Sequence, residues 1–396
     1  MKKSVLLLIL LLIGSCVFSN GLIQIKDNSF VWAGGASNFA DIDFFGNLDI
    51  LKGEGDAYIM KYSSDLKKTA ERLVVGDAYE YFTAVCEDRD GYIYAVGDVQ
   101  SASIGTRDFK GLKGHGQQDM FVAKFDKDLN LIKILLLGGP SEDYSNDIIA
   151  SRNGFVYVVG RTYDERGVCS GVIYKIFEDN MSMTNASYFK GSFKTAEDAK
   201  FTNFTKIIES NANKFIVLGN INSSDGPDGV SRNIIMMFNS DLNIMTKNSF
   251  KELDGNSNLQ DIIERENGGY YIVGNKGVDF DCSGYLFSVD KDLKFVSGYS
   301  YRSYDADNKK AAMTFFNSID FLNNGEGYLL VGEASNDIPD APRDFYVIFR
   351  DGKFISTYDT KIDRFGGSSQ LVTNDNKLII CGILDEKFVI KSISLF

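Results

Sequence analysis

Four residue types or patterns are scarce or missing in this chain of 396 residues, and each scarcity excludes a class of chemistry. There is one histidine, His115, on the glycine-rich stretch Lys113-Gly114-His115-Gly116. A lone histidine can neither build a multi-histidine zinc site nor, without a partner nucleophile motif, complete a hydrolase triad, so it is expected to be a solvated loop residue. No G-x-S-x-G and no P-loop glycine pattern occurs, which removes the signatures of serine hydrolases and phosphate-cradling loops. There are only 4 prolines. The longest apolar run, Val5 to Ile13, is too short to span a bilayer comfortably.

Positive charge is also short: 42 Lys and Arg face 54 Asp and Glu, a net charge of −12. Such a chain repels phosphate backbones and anionic headgroups, so nucleic-acid binding and polybasic membrane docking are excluded as expectations. The five cysteines suggest no disulfide framework. Cys169 and Cys282 each begin a Cys-Ser-Gly in units two apart along the repeat described below, beyond the ~7 Å Cα limit for a bridge. Cys86 and Cys381 read as small apolar strand residues.

What is abundant is strand and turn chemistry: 20 Tyr, 30 Phe and 38 Gly, with aromatic and β-branched residues in short runs broken by Gly, Asn and Asp. The N-terminus, Met1 to Cys16, reads MKKSVLLLILLLIGSC, two lysines followed by an apolar stretch, as in a secretory signal. Its last four residues, Ile13-Gly14-Ser15-Cys16, resemble the lipobox of bacterial lipoproteins, which implies lipidation of Cys16 and a membrane tether through lipid alone. Cleavage after Ser19, giving a freely secreted or periplasmic protein, is the alternative.

After the leader, seven short apolar strands end in glycine: Phe30 to Gly34, Tyr92 to Gly97, Phe155 to Gly160, Phe215 to Gly219, Tyr270 to Gly274, Tyr328 to Gly332 and Leu378 to Gly382. Successive glycines lie 63, 63, 59, 55, 58 and 50 residues apart, the mark of an internal repeat. Each strand is preceded by another strand and a polar turn, with Asn153-Gly154 and Asp90-Gly91 as two-residue hairpin signals. A third strand follows after a loop, and most repeats close with a weaker fourth. Four antiparallel strands per unit predict an all-β, seven-bladed β-propeller with approximate blades 21–76, 77–138, 139–190, 191–252, 253–302, 303–362 and 363–396. The last has room for three strands. Gly21 to Asp27 is expected either as the first strand of blade one or as a strand lent to blade seven.

The unit resembles the bacterial seven-bladed β-propeller (SBBP) repeat. Leu137-Gly138-Gly139, Asp143, Asp147 to Ala150, Asn153-Gly154 and Val158-Val159-Gly160-Arg161-Thr162 carry the likeness. Asp119-Met120-Phe121-Val122-Ala123-Lys124-Phe125-Asp126 carries its last part, an Asp before an apolar strand with a central Lys. The resemblance extends over Gly21 to Phe396, more loosely in blades four to seven. It implies a fold and an exported compartment and implies no reaction.

Asp126-Lys127-Asp128-Leu129-Asn130 looks like the opening of a calcium loop. Ser64-Asp65-Leu66, Ser240-Asp241-Leu242-Asn243 and Asp290-Lys291-Asp292-Leu293 hold the same place in other repeats, and none continues to the bidentate Glu of an EF-hand, so a recurring turn is expected and no metal or cofactor. The loops Gly35 to Asp56, Asp98 to Asp119, Asn220 to Asn233 and Glu333 to Asp344 are long and should emerge together on one face. Acidic and aromatic residues gather there: Asp43, Phe44, Phe45, Tyr79, Glu80, Tyr81, Asp143 and Tyr144. They are the candidate binding residues.

The favoured expectation is a monomeric, non-enzymatic exported propeller that binds an unidentified protein or glycan through its long-loop face. A carbohydrate hydrolase or lyase using carboxylates in the central channel is the second. It would require two or more carboxylates to converge at a pocket with raised pKa values. A purely structural surface repeat is the third.

Overall fold

A computed structural model describes residues 21–37, 55–191, 201–222, 231–250, 257–278, 281–303, 313–322, 327–335, 343–363, 369–373, 375–384 and 387–395. The chain runs as antiparallel meanders. The first joins β1 (Leu22–Gln24), β2 (Phe30–Ser37), β3 (Gly55–Tyr62) and β4 (Lys68–Val74). The second joins β5 (Glu80–Glu87), β6 (Ile93–Gln100), β7 (Gln118–Phe125) and β8 (Leu131–Leu137), and the third β9 (Asp143–Ala150), β10 (Phe155–Tyr163), β11 (Cys169–Phe177) and β12 (Ser182–Phe189). The fourth contains β13 (Phe201–Glu209), β14 (Phe215–Asn222), β15 (Ser231–Phe238) and β16 (Ile244–Ser249). Then come β17 (Ser257–Glu264), β18 (Tyr270–Val278), β19 (Asp281–Val289) and β20 (Phe295–Tyr301), followed by β21 (Met313–Leu322), β22 (Gly327–Ser335), β23 (Arg343–Arg350) and β24 (Lys353–Asp363). The chain closes with β25 (Ser369–Val372), β26 (Lys377–Leu384) and β27 (Lys387–Ser394).

These are the four-stranded antiparallel blades of a propeller, but the sheets do not number seven. Five sheets have four or more strands, because β17–β20 and β21–β24 form one eight-stranded sheet, and the sixth sheet, β25–β27, has three. The fusion rests on one parallel pair, Cys282 with Met313. The segment Gly21 to Asp27 supplies β1 to the first sheet, paired Leu22 to Trp32, and is not lent to the last.

The recurring glycine has a steric cause. Opposite Gly97, Gly160, Gly219, Gly274 and Gly332 the inner strand carries a β-bulge. The bulge thrusts the carbonyl oxygens of Tyr81, Tyr144, Asn203, Asn258 and Phe315 into the space a Cβ would fill. Only glycine leaves room there. The run before each glycine is apolar throughout because neighbouring sheets cover both faces: Val156 to Val159 are fully buried. Apolar clusters fill each boundary between successive meanders, and Trp32 and Tyr58 pack with Ile379 and Cys381, so the last sheet meets the first.

The central lysine of the third strand is a strap between sheets. The ammonium groups of Lys61, Lys124 and Lys175 donate to the carbonyls of Lys127, Glu178 and Ser240, at 3.1, 2.8 and 2.8 Å, each in the next meander's outer turn. In register, the later sheets put Met237, Ser288 and Ile348 at this position. The suspected calcium loop is a turn capped by its own first residue: Asp126 Oδ1 accepts from the Asp128 and Asn130 amides, both at 2.9 Å. Asn239 and Asp290 repeat the pattern. Leu66, Leu129, Leu242 and Leu293 take φ of 62–63° there. This left-handed backbone costs about 1–2 kcal/mol, offset at Leu129, Leu242 and Leu293 by full burial of the side chain.

Candidate functional site

Chain direction fixes two faces. The β1–β2, β5–β6 and β7–β8 turns lie on one, and the β6–β7 and β10–β11 connections and the β4–β5 and β8–β9 crossings lie on the other, the long-loop face. Cys16, Asp43, Phe44 and Phe45 lie outside the described residues. Tyr79, Glu80, Tyr81, Asp143 and Tyr144 all fall on the long-loop face, at the start of β5 and β9. They do not form one surface.

Glu80 and Asp143 are equivalent positions, each two residues before the partner of the bulge glycine, and both are buried. Glu80 accepts from the Gly76 amide at 3.0 Å and from the Ser103 hydroxyl; Asp143 accepts from the Gly139 amide at 2.8 Å. Burial pushes both carboxyls up to about 7, with Asp56 beside Glu80 and Asp119 and Asp98 beside Asp143 adding to the rise. Asp119 is raised by burial, and accepts from the His115 amide at 3.0 Å. These acids tie the crossings and the β6–β7 loop to their own sheets beneath the surface; His115 itself is exposed.

Tyr81 and Tyr144 are half-buried and belong to a cluster at the surface. The Tyr81 hydroxyl donates to Asp98 Oδ2 at 2.8 Å, and Asp98 Oδ1 accepts from the Ser145 amide and hydroxyl at 2.8 and 2.7 Å. Asp98 is raised to about 6 by burial, against these hydrogen bonds and Arg161. The Arg161 guanidinium lies 4.0 Å from the Tyr144 ring centre and 5.4 Å from that of Phe201. Tyr163 meets the Tyr144 and Phe201 rings edge-on at 6.4 and 6.5 Å. The Tyr144 hydroxyl donates to Glu142 at 3.0 Å. Asp98, Arg161, Tyr163 and Phe201 were not among the predicted residues. The available signal was the repeat itself: Asp98 and Arg161 both follow the bulge glycine, where side chains rise to this face.

The inner strands enclose a cavity of about 300 Å³. Its walls are largely Ile and Val, with Asp147, Lys206, Asp261, Ser318 and Asp320 as polar members. Lys206 Nζ lies 3.8 Å from Asp147 Oδ2 and 3.4 Å from Asp261 Oδ1, with 17% of its side chain accessible. Burial opposes the Lys206 charge, but the two carboxylates outweigh it and hold its pKa above the usual value. Burial raises Asp147, and lifts Asp320 to about 6. Carboxylates therefore do converge on the channel. Each is also committed to a neighbour: the Ile207, Ile319 and Val372 amides donate to Asp147, Asp261 and Asp320 at 3.0, 3.1 and 3.1 Å. Every one of these bonds crosses to the next unit, so the acids act as latches. Among the described residues no group of three His, Cys, Asp or Glu could hold a metal, and Cys86, Cys169, Cys282 and Cys381 are free thiols.

The fold and its repeated unit define the chain as a β-propeller. The family model "Beta-propeller repeat" (SBBP) matches residues 132–165, the unit from β8 to the end of β10. No curated protein sequence matches the chain. Among solved structures it is similar to the polysaccharide lyase Uly1, at 10% identity and TM-score 0.54, covering 96% of this chain and 90% of that one. It is similar to a puromycin hydrolase at 10% identity and TM-score 0.50, covering 97% of this chain and 53% of the hydrolase. A third similarity is to the Dos1 propeller, at 13% identity and TM-score 0.49, with 96% and 82% covered. At such identities the likeness is one of fold.

Proposed function

We propose that the chain is an exported, lipid-anchored, monomeric propeller of the cell envelope that works as a non-enzymatic binding or scaffold module through its long-loop face. The observation that supports this most is the cluster of Tyr81, Asp98, Tyr144, Arg161, Tyr163 and Phe201. Half-exposed rings beside a guanidinium and carboxylates offer flat apolar faces ringed by polar groups, the surface on which sugars and aromatic side chains pack. The ring reads best as seven blades. Apolar clusters sit at seven boundaries, and the eight-stranded sheet is two four-stranded meanders touching at one residue pair. The basic and apolar leader ending in Cys16 supports export and lipidation.

The test is a pull-down from native envelopes with the wild-type chain and an Arg161→Ala/Tyr144→Ala variant. Capture by the wild type that the variant loses supports the reading; equal capture by both overturns it.

Convergence of Asp147, Asp261 and Asp320 at the channel favours a second reading, an envelope carbohydrate hydrolase or lyase. It ranks lower because backbone amides occupy the carboxylates and Lys206 is held between two of them. Turnover of an envelope polysaccharide that disappears in Asp147→Asn and Asp320→Asn would reverse the order.

A further inference from the structure

Asp98 and Arg161 hold the same place in successive units, directly after the bulge glycine, and both reach the next meander. Asp98 is spent on structure: its carboxylate takes the Ser145 amide and hydroxyl at 2.8 and 2.7 Å and latches two meanders together. Arg161 cannot do this, because a guanidinium only donates. Among the described residues it makes no hydrogen bond and no ion pair, and its Nε is buried without an acceptor. Asp98, which feels its charge, already has both oxygens engaged by Tyr81 and Ser145. Rings hold Arg161 instead, Tyr144 at 4.0 Å and Phe201 at 5.4 Å, with Tyr163 edge-on to both. A cation–π contact uses the face of the guanidinium and leaves the N–H fork in its plane unspent. All four side chains are partly accessible.

We infer that this cluster binds a glycan bearing an isolated carboxylate, with the acid seated in the Arg161 fork and a sugar ring lying on the Tyr144, Tyr163 and Phe201 side chains. The inference rests on the proposed binding role of the long-loop face and names its ligand class. The fork matches a planar carboxylate in two parallel hydrogen bonds, and the rings supply flat apolar surface for a pyranose. Extended peptides bind chiefly by adding a strand to an open sheet edge, but β10, which carries Arg161 and Tyr163, is paired on both sides. Recognition here is by side chains. The surrounding charge sets the density of acid the ligand can carry. Asp77 and Glu165 are exposed and Glu142 half-buried on the same face; Asp77 is paired with Arg107, and Glu142 accepts from Tyr144. A dense polyanion is repelled by these acids, whereas one carboxylate among neutral sugars meets only Arg161.

The experiment presents the full chain to an array of neutral, sparsely carboxylated and densely sulfated oligosaccharides. The glycans retained should carry a sparse carboxylate, and reducing that carboxyl to the alcohol should weaken binding roughly tenfold or more, the worth of a charge-assisted hydrogen bond. This arm needs no variant. Arg161→Gln should lose the same factor toward the acid and nothing toward the reduced glycan, so that the two changes are not additive. Arg161→Lys, which keeps the charge without the fork, should recover only part, and Tyr144→Ala should weaken both forms alike. A cooperative urea transition in each variant reports folding. Retention of neutral glycans alone, equal binding of the acid and its reduced form, or preference for sulfated chains overturns the ligand class. If no glycan is retained but an envelope protein is captured by the wild type and lost in Arg161→Ala/Tyr144→Ala, the binding face stands and the glycan is overturned. If neither is retained, the binding face is refuted and the inference with it.

Discussion

Replacing Asp143 with asparagine tests whether the buried acids of the long-loop face are held protonated. The Asp143 carboxyl is raised from 3.8 to about 7 by burial, with Asp119 and Asp98 beside it; the Gly139 amide and Thr162 hydroxyl oppose the rise. A folded-state pKa above the unfolded value means that the folded chain holds a proton the unfolded chain has released. The stability from this group is therefore present at low pH and lost as pH rises toward 7. Between pH 5 and pH 7 the loss is two pH intervals of ~1.36 kcal/mol, about 2.7 kcal/mol as an upper figure, and it levels off above pH 7. Local relaxation reduces it to roughly 1–2 kcal/mol. Asparagine has the shape of the neutral acid: its oxygen can accept from Gly139, and its amide can donate toward Asp119. Stabilities from urea unfolding at pH 5, 6, 7 and 8, with m-values checked for constancy, should fall with pH in the wild type and fall by ~1–2 kcal/mol less in Asp143→Asn. A variant whose pH slope equals the wild type's refutes the reasoning, as does a wild type that gains stability from pH 5 to 8.

Three further outcomes follow from the packing. Gly160→Ala drives a methyl into the Tyr144 carbonyl across the bulge and should cost about 1–3 kcal/mol in denaturant stability, whereas Gly154→Ala, which meets no atom within 4 Å, suffers only the strain of its left-handed turn. Cys169 and Cys282 are buried, so thiol titration should find them slow in native protein and fully reactive in denaturant. A Cys169–Cys282 link in non-reducing mass analysis would sink both this and the sheet assignment. Asp126→Ala removes two amide contacts from its turn and should cost ~0.5–2 kcal/mol, and added calcium should shift neither wild type nor variant. A calcium-dependent melting temperature would restore the loop as a metal site.

The repeat was legible because its cause is local. A bulge carbonyl against the glycine, an Asx turn and an apolar strand covered on both sides each leave a fixed residue at a fixed offset. The fusion of two meanders through Cys282 and Met313 leaves no such mark, since one parallel pair needs no particular side chain. Glu80 and Asp143 looked like loop carboxylates beside aromatic residues, and only the approach of the preceding sheet, carrying Asp56 and Asp119, shows that they are interior. The surface cluster is assembled from β5, β6, β9, β10 and β13, whose members are far apart in the chain. A repeat period locates each strand but not which side chains meet across sheets. Cys16, Asp43, Phe44 and Phe45 belong to segments whose structure is not described.

The lysine straps bear on how the ring opens. Lys124 holds the Glu178 carbonyl at 2.8 Å with its ammonium 4.2 Å from the Tyr92 ring centre. A charge-assisted bond and a cation–π contact together contribute about 2–4 kcal/mol. Met237 at the equivalent position shows that methionine suits this fold, so Lys124→Met removes the strap without an intolerable shape. In a linear repeat protein such a loss stays with the nearest neighbours. Here Trp32 and Tyr58 pack against Ile379 and Cys381, closing the ring, so a boundary cannot part widely unless another gives way. If the nearest-neighbour terms dominate, hydrogen exchange in Lys124→Met should quicken in β7, β8, β11 and β12, with β22 and β23 as protected as in the wild type. An equal loss of protection in β22 and β23 would mean that closure makes the ring one cooperative unit.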